Sequence, residues 1–134
     1  MAQHNEIGKL GEDIACEFLE DKGLTIIERN FRKPYGEIDI VARETVPIPI
    51  FGRERYRFVE VKSVSCETDS PVDSGYRPEE NVHPQKVKRL IRVIQVYLAS
   101  HKVKDWQFDV LTVSINQWSK TARVRHLENI ILGS

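Results

Sequence analysis

The segment Glu54–Ser63 carries apolar side chains on both faces of an alternating pattern, and this feature constrains the fold most. Tyr56, Phe58, Glu60 and Lys62 share one face, while Arg57, Val59, Val61 and Ser63 share the other, because side chains alternate at period two along a strand. A strand that is apolar on both faces belongs inside a sheet covered from both sides. Two segments have the periodicity to supply the cover. From Asn5 to Lys22, Ile7, Leu10, Ile14 and Phe18 recur at helical spacing, with Asn5 suited to cap the start and Gly23 the end. From Pro84 to Lys102, Val87, Leu90, Ile91, Ile94 and Leu98 form a second apolar stripe, with proline tolerated in the first turn.

The remaining chain reads as strands and connections. Leu24–Phe31 is predicted to be a strand, followed by a turn at Lys33-Pro34-Tyr35-Gly36 and a second strand over Glu37–Arg43. In that strand Ile38, Ile40 and Ala42 are expected on one face and Glu37, Asp39 and Val41 on the other. Thr45–Gly52, with two prolines and a glycine, favours a protruding connection, and Ser65–Asn81, with five acids, a long polar loop. Strands at about Trp106–Val113 and Thr121–His126 close the chain, with a turn at Asn116-Gln117. The expected fold class is α/β, a mixed central sheet flanked by helices in the order α-β-β-β-α-β-β. At 134 residues, the chain suits one domain.

Bulk chemistry narrows the partners. Lys plus Arg and Asp plus Glu both number 20, so no overall positive field draws the chain to nucleic acid or membrane, and such a partner must be held by local patches. No stretch reaches the roughly 18 apolar residues that a membrane span requires, and Met1–Leu10 lacks a signal-peptide core. A soluble, cytoplasmic protein without membrane partners is expected. Cys16 and Cys66 lack zinc-ligand spacing and read as ordinary thiols. His4, His83, His101 and His126 show no helix-spaced pair and suit surface or capping roles. Gly8 and Gly11 lie within a helix, outside the strand-to-helix context of a phosphate loop, and are expected to permit close packing.

The chemistry concentrates at Asp39 and at Phe58-Val59-Glu60-Val61-Lys62. Two acids and a lysine converging on a largely apolar sheet are costly to bury unless they pair or hold an ion, and hard cations take carboxylates, carbonyls and water. Asp39 and Glu60 supply carboxylates, the Val61 carbonyl a neutral ligand, and Lys62 a charge that orients a nucleophilic water and neutralises phosphate. On the first helix Glu12 falls beside Ala15 and Leu19 and is the acid expected to look inward. Lys86 shares a column with Leu90, Val93 and Tyr97, from which its ammonium can reach over the sheet. Arg29, Arg32, Lys33, Arg53, Arg55 and Arg57 cluster at strand ends near Phe31 and Tyr35, as a solvated basic rim or as phosphate contacts.

The segments Gly11-Glu12-Asp13-Ile14-Ala15, Arg29-Asn30-Phe31-Arg32, Gly36-Glu37-Ile38-Asp39-Ile40-Val41-Ala42, Phe58-Val59-Glu60-Val61-Lys62 and Phe108-Asp109-Val110 together resemble the YraN-like family of bacterial proteins. That family is similar to Holliday-junction resolvases of the PD-(D/E)XK nuclease superfamily. The resemblance implies a restriction-endonuclease-like core. It also implies Mg2+- or Mn2+-dependent cleavage of DNA, with branched or structured DNA as substrate and a homodimer suited to cutting two strands. It places Asp39 at the motif aspartate, Glu60 and Lys62 at the Glu-x-Lys positions, and Glu12 at the helix glutamate that completes the metal environment. Lys86 matches the lysine that opens the second helix; Arg32 and Lys33 are further nucleic-acid candidates. Asp109 matches a family segment and suits a structural hydrogen-bonding role. Where family members carry a Thr-Arg-like pair after the strand lysine, this chain has Ser63 and Val64. The alternative is a nucleic-acid-binding or scaffold protein that keeps the fold without turnover.

Overall fold

A computed structural model describes residues 2–47, 52–66 and 84–132. The elements are α1 (Ala2–Asp21), β1 (Thr25–Lys33), β2 (Gly36–Pro47), β3 (Gly52–Cys66), α2 (Pro84–His101), β4 (Trp106–Asn116) and β5 (Thr121–Leu127). The strands form one mixed sheet in sequence order, with β3 at its centre. β1–β2, β2–β3 and β4–β5 are antiparallel, whereas β3 and β4 run parallel and are joined through α2. This is the α-β-β-β-α-β-β arrangement of a restriction-endonuclease-like core.

The two faces of the sheet carry separate cores. On one, Ala15 and Leu19 of α1 pack against Ile40, Ala42, Val59, Leu111 and Val113. On the other, Val93, Ile94 and Tyr97 of α2 pack against Val41, Phe58, Phe108 and Val110. Each fully buried Leu, Ile or Phe side chain stabilises the fold by about 1.5–3 kcal/mol relative to exposure, so neither helix can detach cheaply. Both helices end by the same device. At α1, Gly23 (φ 92) lets Leu24 N–H reach Leu19 O and Gly23 N–H reach Glu20 O, the paired bonds of a Schellman cap. At α2, Lys102 adopts the left-handed conformation (φ 52) and Val103 N–H reaches Leu98 O, so a lysine fills a position usually given to glycine.

Several expectations are corrected. α1 begins at Ala2, three residues ahead of the expected cap. β2 and β3 extend past Arg43 and start before Glu54, because pairing continues through Glu44↔Arg55 and Thr45↔Glu54 to Pro47↔Gly52. The proline thus sits at the last pair, where a missing N–H costs least. The rest of that connection, 48–51, and the acidic segment 67–83 with His83 lie outside the described residues. Ile38 joins the α2-side core, although Ile40 and Ala42 face α1. Its partner Phe31 makes the same switch relative to Arg29, and between them Asn30 is left-handed (φ 55). A left-handed residue interrupts the strand's alternation, so the tip of the β1–β2 hairpin turns its side chains over at Asn30 and Asp39. A Cβ on Gly11 would lie 1.8 Å from Ser63 Oγ, as close packing requires, but one on Gly8 would meet nothing within 4 Å. Both cysteines are free, and no helix among the described residues is long and apolar enough to cross a membrane.

Candidate metal centre at the parting of two strands

The β2–β3 ladder runs as far as Ile40↔Val59 and stops there. The next residues, Asp39 and Glu60, are not paired; instead Asp39 Oδ2 accepts the Val61 N–H at 2.8 Å. The carboxylate thereby replaces a backbone carbonyl and closes the ladder where the strands part. Burial pushes the Asp39 carboxyl up to about 7; the Val61 hydrogen bond opposes this, and the neighbouring Glu37, Glu60 and Glu12 add to the rise. A half-buried acid among three others favours either a proton or a cation.

Asp39 lies between two concavities. A cavity of about 280 Å³ opens on the α2 side, where Glu60, Lys86 and Arg89 meet it. A shallower cleft of about 680 Å³ opens on the α1 side, bordered by Lys9, Glu12, Arg29 and Arg32. Glu37 lines both. The structure thus gathers Asp39, Glu60, Glu12, Lys86 and Arg32 around one sheet end. Lys62 is exposed, and lines neither concavity. Lys33 is set apart, with its ammonium 5.2 Å from the Phe31 ring centroid.

The charges are already partnered. Lys86 Nζ lies 3.0 Å from Glu60 Oε1, bringing the ammonium over the sheet. Glu12 Oε1 accepts from Arg29 Nε and Nη2, each at 3.2 Å, and from Asn30 Nδ2 at 2.9 Å. Arg32 Nε donates to Glu37 Oε2 at 2.7 Å, so the rim arginine is neutralised by an acid of the site. In these rotamers the carboxylates of Asp39, Glu60 and Glu12 do not converge within 4.8 Å of one another; among the described residues only Asp109, His126 and Glu128 meet that spacing.

That second cluster is built around an arginine. Asp109, fully buried, accepts from Arg57 Nη1 (3.1 Å), His126 Nε2 (2.9 Å), Gln107 Nε2 (2.8 Å) and the Asn129 amide (2.9 Å). Arg57 also donates to Glu44 Oε1 (2.9 Å from Nε) and Glu128 Oε1 (2.6 Å). Burial pushes Asp109 up, but the bonds from His126, Asn129 and Gln107, with the Arg57 charge, outweigh it and leave the carboxyl below its ordinary value. A guanidinium in contact with Asp109 and Glu128 makes this a structural tie rather than a cation site. Asp109 has the hydrogen-bonding role expected of it. Arg57 and His126 do not: neither is at the surface, since the parallel register brings Asp109 against β3 and the β4–β5 hairpin brings His126 to it. Arg53 and Arg55 are likewise paired, both with Asp105 at 3.1 Å.

Two residues of the site escaped the sequence reading. Asn30 orients Glu12, and its signal was residue type, since asparagine tolerates the left-handed region. Glu37 was signalled by sharing a strand face with Asp39.

Comparison with known proteins bears on the same segments. Residues 11–113 match the family described as "Uncharacterised protein family UPF0102". A UPF0102 protein of Flavobacterium psychrophilum is 34% identical over 130 residues, 96% of each chain. One from Persephonella marina is 39% identical over 111 residues, covering 81% of this chain and 84% of that one. One from Thermotoga petrophila is 43% identical over 96 residues, 72% of this chain and 74% of its own. The matched span includes Glu12, Asp39, Glu60 and Lys62, and the chain belongs to the UPF0102, or YraN-like, family.

Proposed function

We propose that the chain is a metal-dependent endonuclease that hydrolyses phosphodiester bonds in DNA, with branched or structured DNA as its substrate class. The observation that carries this is the Asp39 carboxylate at the parting of β2 and β3, destabilised as an anion and surrounded by Glu60, Glu37 and Glu12. An all-oxygen donor set of this kind suits Mg2+ or Mn2+. Asp39 and Glu60 would hold the ion, with Glu12 from the α1 side. The N–H and C=O of one strand residue point to the same side, so the Val61 carbonyl faces the gap that its amide faces and adds a neutral ligand. A bound dication would polarise the phosphate and make water a better nucleophile.

The chain's own residues complete the work. Lys62 stands two positions beyond Glu60 on the same strand face, exposed and outside both concavities, and its long side chain would have to swing back toward Glu60 for the ammonium to position the attacking water and offset charge developing on phosphate. Lys86, now on Glu60, is released to the DNA backbone when that carboxylate takes a cation. Arg32 and Lys33 extend the positive border beside the α1-side cleft. A homodimer would present two such sites to the two strands of a duplex, and we place the activity in the cytoplasm, where the substrate lies.

A second reading, a nucleic-acid-binding or scaffold protein without turnover, is favoured by the existing pairs Lys86–Glu60 and Arg29–Glu12, which satisfy the acids without an ion. One experiment separates the two. Purified protein is incubated with single-stranded, duplex, flap and four-way DNA, with and without Mn2+, beside Lys62→Ala and Glu60→Ala. The nuclease reading expects metal-dependent products that both variants lose. Salt-sensitive binding that survives both substitutions, with no product on any DNA, rejects it.

A further inference from the structure

The α2-side cavity has a composition that metal coordination alone does not call for. Behind the acids its lining is apolar, with Leu90 over the nearly buried Ile38 and Phe108, and with Tyr35 at one side. The guanidinium carbon of Arg92 lies 3.9 Å from the Tyr35 ring centroid, so the aromatic wall is backed by a planar cation. Lys86 and Arg89 project from the same helix into its mouth. A phosphate or a sugar gains little from an apolar wall. A nucleobase gains much, because its faces are apolar and its edge can meet carboxylate acceptors and ammonium or guanidinium donors.

We propose that this cavity is a subsite for one unpaired nucleobase beside the scissile phosphate; the inference rests on the nuclease reading above and deepens it. At about 280 Å³ the space is near the lower end of small-ligand pockets, roughly 300–1,000 Å³, which admits a single base and not a base pair. The larger α1-side cleft differs in kind: Lys9, Arg29 and Arg32 border it, and it suits the sugar-phosphate backbone. A base still stacked in a duplex must be everted to enter, so the enzyme favours DNA in which a nucleotide is already unpaired at the cleaved position.

The test compares Mn2+-dependent cleavage of an end-labelled duplex with that of the same duplex carrying a one-nucleotide bulge, and maps the cut. Wild type is compared with Leu90→Trp, which fills the cavity, and with Tyr35→Leu, which keeps apolar bulk but removes the ring; thermal melts check that each is folded. Wild type is expected to cut the bulged DNA at least about tenfold faster, within a nucleotide or so of the bulge, and the ratio to fall below about threefold in both variants. If Leu90→Trp does not fold, Tyr35→Leu decides. Equal rates on the two DNAs, or an undiminished ratio in a folded variant, overturn the subsite and leave the nuclease reading standing. No Mn2+-dependent cleavage of either DNA overturns the subsite, and the nuclease reading falls with it only if single-stranded, flap and four-way DNA are left uncut as well.

Discussion

The Val61 amide donates to Asp39 Oδ2 at 2.8 Å, across the point where β2 and β3 separate. One oxygen of Asp39 is therefore committed to the backbone. Asparagine can accept the same bond without the charge, so Asp39→Asn separates fold from chemistry. The sign is fixed by the raised carboxyl, about 7 against an ordinary 3.8. Stability from the protonated form is fully present below the unfolded value and lost as pH rises through the folded one. Asp39→Asn is expected to melt above wild type at pH 8, by an amount on the order of 1–2 kcal/mol after allowance for solvent screening, and to match it near pH 4. Cleavage falls by at least about a hundredfold, in line with loss of a principal charge-stabilising group. A melt at pH 8 below wild type would reject this account of Asp39.

Cation binding at Asp39 must displace its proton. At pH 6 the uptake of Mn2+ is expected to release close to one proton, and at pH 8.5 almost none. Calorimetry in two buffers of different ionisation enthalpy measures this directly. The apparent affinity should rise up to tenfold per pH unit below about 7 and level off above it. An affinity flat from pH 5.5 to 8.5 would place the ion elsewhere.

Arg57 makes four contacts to three carboxylates, so its removal takes the guanidinium charge from the fully buried Asp109 and leaves that anion to the hydrogen bonds of His126, Gln107 and Asn129. Arg57→Ala is expected to lower stability by about 3–5 kcal/mol in denaturant melts. Asp109 and Glu128 are both held below their ordinary values, Asp109 against its own burial and Glu128 first by its Arg57 bond. Their contribution is present above about pH 4 and is lost as pH falls through the depressed values. In Asp109→Asn the acid limb of the stability curve should be shallower than in wild type.

Two glycines of α1 should respond with opposite signs. A Cβ at Gly11 meets Ser63 Cβ at 2.8 Å as well as its hydroxyl, so rotation of the serine does not clear it. Gly11→Ala is expected to destabilise by about 1–2 kcal/mol despite the better helix former, because overpacking costs roughly 1–3 kcal/mol. Gly8→Ala, in open space, should stabilise by up to about 1 kcal/mol. Chemical denaturation of the pair checks both; equal shifts would mean that α1 does not press on β3.

What could be read in the sequence followed from periodicity. Val59 and Phe58 announced a strand buried on both faces, and Ile7, Leu10, Ile14 and Phe18 marked a helix stripe with Glu12 at its flank, although the fully buried centre of that face is Ala15 and Leu19 and Leu10 is 46% exposed. Ile38 was misassigned because alternation assumes an unbroken strand, and the left-handed Asn30 breaks it. Arg57 read as one more basic residue at a strand end; its burial depends on the register of β3 against β4, which brings together residues about fifty positions apart. The ion pairs of Arg32 with Glu37 and of Arg53 and Arg55 with Asp105 were likewise not legible, since they form only once the sheet is assembled.

The parallel pairing of β3 with β4 also sets an order of events as the chain folds. The β1–β2–β3 meander closes through contacts near in sequence, whereas β4 can join only after the crossover through α2 has been organised, a step slowed by loop-closure entropy. Asp39 and Glu60 thus assemble early, on a meander whose β3 edge is still bare. Until β4 covers that edge, the nascent protein carries its acidic centre beside an open template for intermolecular pairing, so the crossover that brings Lys86 and Arg89 to the cavity also delivers the strand that closes that template.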